Sequence, residues 1–71
     1  MEVGRWVKVK PGTMDHLRER GYVAEYMTDS VDDQIGKIVS DPREVSSYPH
    51  FGVELGFEQP VGISEQFLEL I

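Results

Sequence analysis

The chain has no cysteine. Disulfide staples and thiolate metal sites are therefore both ruled out, and the composition fits a reducing compartment. Long apolar runs are missing too, since no stretch approaches the roughly 18 residues that a membrane-spanning helix requires. The opening MEVGRW lacks the basic segment and apolar core of a targeting peptide. A cytoplasmic protein is expected, or a stromal one if the source has plastids, with no membrane partner. Positive charge is also scarce, with seven Lys and Arg against thirteen Asp and Glu for a net charge of −6. Most of such a surface repels a phosphate backbone, so nucleic acid is not the expected partner. The basic groups gather at one end: residues 1–20 carry five basic and three acidic groups, and residues 21–71 carry two and ten.

Catalytic equipment is equally thin. A nucleophile needs a base beside it and an oxyanion site, but there is no G-x-S-x-G, and the two histidines, His16 and His50, lie far apart in sequence. No Gly-rich loop precedes a helix to cradle phosphate. Asp29, Asp32 and Asp33 lack the alternate spacing and central glycine of a calcium loop and read as solvated charge. The only paired carboxylates, Asp32 and Asp33, point apart in an extended chain. No enzymatic activity, catalytic residue, metal or cofactor is expected. His16 reads as part of a solvated helix face.

With 71 residues the chain makes one domain, spanning 1–71. At this size roughly 60–65% of the unfolded surface can be buried, so the core is thin. Hydrophobic residues at 39% and charged ones at 28% are enough for it to fold without a partner.

What is present reads mostly as strand. Val3 to Lys10 alternates Val3, Arg5, Val7 and Val9 against Trp6, Lys8 and Lys10, the period of two of a half-buried strand. Trp6 falls on the Lys face, either as a half-covered ring shielding an edge or as an exposed contact. Pro11-Gly12 stops the strand. Thr13 is placed to cap a short helix over Met14 to Arg20, with Met14 and Leu17 on one face and Gly21 ending it. Tyr22 to Met27 fits either a prolonged helix or an extended arm. TDSVDDQ, Thr28 to Gln34, ends a connection that is long for so small a chain.

Ile35 to Leu55 is the clearest stretch, two strands joined by the loop Asp41 to Pro49. Ile38 is the surest core position, Ile35 and Val39 face the other way, and a bend near Gly36 lets this strand serve two halves of a fold. Phe51, Val53 and Leu55 alternate with Gly52 and Glu54. After a turn at Gly56 to Pro60, Val61 to Ile63 is a brief strand. Ser64 can cap a single tight turn, and Leu68 to Ile71 closes the chain. The predicted fold is mainly β: a small five-stranded SH3-like barrel with a long first loop containing a short helix. Its interior is expected to hold Val7, Ile38, Val53, Ile63 and Leu70.

The stretches VGRWVKVK, IGKIV, VSSYPHFGVEL and EQFLELI together resemble the variable chain of ferredoxin-thioredoxin reductase. In layout the chain is also similar to the PsaE subunit of photosystem I and to the barrel domain of the nitrile hydratase beta chain. The resemblance implies an accessory subunit without catalysis of its own that packs against a larger partner.

Barrels of this kind bind through exposed aromatics on their long loops, where rigid rings contribute contact area at small entropic cost. The expected partner-binding residues are Tyr22, Tyr26, Tyr48, His50 and Trp6. Tyr22 and Tyr26 have an alternative use, pinning the long connection to the barrel. Two functions follow from different classes. The first is a protein-binding accessory or scaffold subunit of a larger cytoplasmic complex, of redox or metalloenzyme type. The second is a small acidic regulatory adaptor or inhibitor, of mobile-element origin, whose residues 29–33 and 54–58 dock on a basic surface of a nucleic-acid enzyme.

Overall fold

Val7 and Val9 alternate with Lys8, and in the folded chain both valines are buried while Lys8 reaches water. The computed structural model describes residues 1–42 and 50–71. Along the chain come β1 (Trp6–Val9), α1 (Thr13–Glu19), β2 (Ile35–Ser40), β3 (Phe51–Glu54), β4 (Val61–Ile63), a 3-10 turn over Glu65–Phe67 and β5 (Leu68–Leu70). The five strands form one antiparallel sheet in the order β4-β3-β2-β1-β5. The fold is thus mainly β with one short helix. The hydrogen-bonded ladder is open, with β4 and β5 as its edges.

β2 is shared between its neighbours. Its first half, Ile35 to Lys37, pairs with β1, and its second half, Lys37 to Ser40, pairs with β3. The irregularity in this strand falls at Val39 rather than at Gly36: Ile38 faces Val53 and Ser40 faces Gly52, so Val39 is an extra residue. A second bulge opens β2. The Val9 N–H donates to the Gln34 carbonyl and the Asp33 N–H to the Val9 carbonyl, each at 2.9 Å, with Asp33 in a left-handed φ of 63°. Ile35 and Val39 point outward, as their alternation with Ile38 predicts.

The core lies on one face of the sheet, where Val7, Val9, Ile38, Phe51, Val53, Val61, Ile63 and Leu68 meet. Met14 and Leu17, three residues apart on α1, add its helical face, and Met27 and Val31 come from the long connection. Each such side chain contributes roughly 1.5–3 kcal/mol through loss of apolar surface to water. The expected interior residues Val7, Ile38, Val53 and Ile63 are all buried, but Leu70 is not. It is opposite the buried Val7, but on the edge strand, where it remains 48% exposed, and Leu68 is the inward residue of β5. Val3 is likewise exposed, because a turn at Val3 and Gly4 precedes β1.

α1 ends at Gly21. The Tyr22 N–H donates to the Leu17 carbonyl and the Gly21 N–H to the Arg18 carbonyl, a Schellman closure that needs the positive φ of 73° at Gly21. Tyr22 to Met27 therefore does not prolong the helix. Its start differs from expectation as well. Thr13 is fully buried, its hydroxyl donating to the Lys10 carbonyl at 2.7 Å, and provides no cap. Asp32 does so instead: its carboxylate accepts from the Met14 N–H at 2.8 Å and the Gly12 N–H at 3.1 Å. The 3-10 turn closes through backbone alone, Phe67 N–H to Ser64 carbonyl, without the Ser64 side chain.

Candidate functional site

The C-terminal turn of α1 carries His16 and Arg20 four residues apart, on one helix face. Gly21 reverses the chain and sets Tyr22 beside them. The first residue before β3, His50, and the Ser64–Gln66 segment before β5 complete a shallow cleft of about 240 Å³ lined by His16, Arg20, Tyr22, His50, Ser64 and Gln66. The Tyr22 ring meets His50 edge-on, with centroids 5.5 Å apart and planes at 76°. His16 packs at 4.5 Å from Phe67, tilted by 43°. Partial burial pushes the His50 imidazole below its usual pKa, and the nearby His16 adds to the shift by charge repulsion.

The other expected contact residues lie elsewhere. Tyr26 lines a second cleft, about 470 Å³, with Glu25, Thr28, Gly56, Phe57 and Glu58. Its hydroxyl donates to the Pro60 carbonyl at 3.4 Å, so it pins the long connection to the β3–β4 turn. Trp6 is on the outward sheet face, 54% exposed, so about half of its surface reaches water. Tyr48 lies outside the described residues.

On that outward face, register sets two rows. Ile71, whose N–H donates to the Trp6 carbonyl at 3.1 Å, lies across from Trp6, and Lys37 flanks Trp6 on the other side. In the next row Lys8 lies between Ile35 and Glu69. Ile35 and Ile71 are 59% and 65% exposed.

No known family, curated protein or solved structure matches the chain. Among the described residues no three acidic or imidazole side chains are placed to hold a metal ion, and no helix is long and apolar enough to cross a membrane. No buried side-chain nitrogen or oxygen among them lacks a hydrogen-bond partner. Besides the Tyr26 cleft, two surface features stand out among the described residues: a polar cleft that holds Arg20, and a sheet face where Trp6, Ile35 and Ile71 stand among Lys8, Lys37 and Glu69. Sequence reasoning brings Tyr22 and His50 forward but leaves out His16, Arg20, Ser64 and Gln66. The four-residue spacing of His16 and Arg20 just ahead of a helix-ending glycine was the available signal.

Proposed function

We propose that this chain is a non-catalytic protein-binding module, an accessory or scaffold subunit that packs against a larger partner in a cytoplasmic complex. The observation that carries it is the outward face of β1, β2 and β5, where Trp6, Ile35 and Ile71 stand more than half exposed while the opposite face already holds a complete core. Single apolar residues on a surface are ordinary. Three in two adjacent rows, beside the aliphatic stems of Lys8 and Lys37 and next to Glu69, form a small apolar patch with a tryptophan anchor and charged neighbours, as at the boundary of an interface core and its polar rim.

The finer fold reading, an SH3-like barrel, draws on the strand order, on the sharing of β2 between its neighbours and on the near-equal extents of 27 × 25 × 22 Å, which a flat sheet would not produce. With it goes the likeness to accessory barrels such as the variable chain of ferredoxin-thioredoxin reductase, and hence a redox or metalloenzyme partner. The acidic-adaptor alternative relies on residues 29–33 and 54–58. Several of those carboxylates already serve the fold: Asp32 caps α1, Asp29 accepts from the Ser30 N–H and Glu54 from the Gly56 N–H.

Affinity capture from native lysate tests the proposal. The intact chain should retain a stoichiometric protein through roughly 0.5 M salt, since an apolar contact is little screened. The Trp6→Ser, Ile35→Ser double variant should lose it while keeping its folded spectrum. Equal recovery by the variant would remove the sheet face as the docking surface, and release by salt alone would favour the acidic adaptor.

A further inference from the structure

Glu25 and Tyr26 occupy the two corners of a turn that the Met27 N–H closes onto the Ala24 carbonyl at 3.0 Å, and the buried Met27 anchors that turn in the core. The β3–β4 turn contributes Gly56, Phe57 and Glu58, and the two turns, with Thr28, line the cleft of about 470 Å³. Tyr26 and Phe57 are both partly buried against the core, and the Tyr26 hydroxyl is tied to the Pro60 carbonyl. The two rings are therefore held in place before any ligand arrives. The two carboxylates are not spent on the fold. Glu54, in the same turn, accepts from the Gly56 N–H, whereas Glu25 and Glu58 form no side-chain hydrogen bond or ion pair among the described residues.

We propose that this cleft receives one basic side chain of a protein partner, a lysine ammonium or an arginine guanidinium, set against the Tyr26 and Phe57 rings with Glu25 and Glu58 as its counter-charges. Ring faces attract a cation through their quadrupole, and carboxylates at the rim add charge-assisted hydrogen bonds. Glu25, Thr28, Gly56 and Glu58 are exposed, so the rim is open. An open rim admits the stem of a side chain, whereas a free quaternary ion needs rings on several sides. The cleft follows Glu54, at the end of β3 away from Phe51, where the β2–β3 connection enters the strand. The inference rests on the chain's being a protein-binding module but shares no residue with the Trp6, Ile35 and Ile71 patch. Small probes test the cleft and lysate capture tests the patch, so the two can fail separately.

An amide NMR titration of the isotope-labelled full chain tests it with three chlorides, those of N-acetyl-lysine amide, N-acetyl-arginine amide and tetramethylammonium, against sodium chloride at matched ionic strength. Saturable shifts are expected at Glu25, Tyr26, Thr28, Gly56 and Phe57 with a blocked residue, and the tighter of the two names the side chain. The Glu25→Gln, Glu58→Gln double variant should weaken binding about tenfold, roughly threefold for each exposed ion pair. The Glu19→Gln, Glu69→Gln double variant removes the same charge elsewhere and should change affinity by less than about twofold. Phe57→Leu keeps apolar bulk but loses the ring face, and should weaken binding about threefold. If its spectrum changes throughout, the two charge variants still decide. No saturable shift beyond sodium chloride with either blocked residue, or equal weakening by the two charge variants, would overturn the proposal. So would a folded Phe57→Leu variant that binds as wild type does, or tetramethylammonium binding more tightly than both blocked residues.

Discussion

A Cβ placed on Gly36 would lie 2.6 Å from a methyl of Leu55 and closer still to the Glu54 carbonyl oxygen, so the backbone of β2 runs against its neighbour with no room for a side chain. Gly52 is tight for a different reason, because the obstructing atom is the Ser40 hydroxyl, the free end of a side chain that can rotate. The difference is measurable. Gly36→Ala should lower stability by about 1–3 kcal/mol, the range for overpacking a closed site, and Gly52→Ala by less than about 1 kcal/mol. Urea midpoints at unchanged m-value report both. Equal costs would mean that the β2 backbone yields as easily as a serine rotamer. Nothing in the sequence distinguishes the two glycines, since each sits in an alternating strand and only the neighbouring backbone separates them.

At the scale of elements, the strands were readable because burial on one face writes a period of two into the chain: Val7 and Val9 around Lys8, Val61 and Ile63 around Gly62. Within the long connection the helix over Met14 to Arg20 was readable too, with Met14 and Leu17 inward and Gly21 at its end, but Tyr22 to Gln34 was not, because its order comes from partners far along the chain. Asp32 reads as a solvated carboxylate in TDSVDDQ, but it caps α1 from 18 and 20 positions away. Met27 and Val31 fit no local period and still enter the core. The same holds for the cleft. The Tyr22–His50 contact joins segments from opposite halves of the chain, and only the His16–Arg20 spacing was local. Asp32→Ala should therefore cost about 1–2 kcal/mol, the value of a helix cap, with Asp32→Asn retaining part of it through its amide oxygen. Circular dichroism through a urea titration checks the order. An alanine variant as stable as wild type would show that α1 is held by Met14 and Leu17 alone.

For the molecule as a whole, charge and histidine chemistry act in opposite directions as pH falls. Net charge is −6 near neutrality, and acidification toward the isoelectric point near 4.7 relieves self-repulsion. His50 has the other sign. Its folded pKa is depressed below the ordinary value of 6.5, first by burial and then by His16. In the window below 6.5 the unfolded chain consequently binds more protons than the folded one. The His50 contribution is fully present above that value and is lost as pH falls through the lower folded pKa. Comparing wild type with His50→Gln cancels the carboxylates and the self-repulsion common to both. The wild-type stability minus the variant's should be level above about pH 7.5 and decline steadily toward about pH 5, in denaturant titrations at fixed ionic strength. His16→Gln, by removing the charge that repels His50, should make that decline shallower. A difference that stays level, or that grows on acidification, would place His50 in a setting that welcomes its proton, contrary to the burial and repulsion that surround it here.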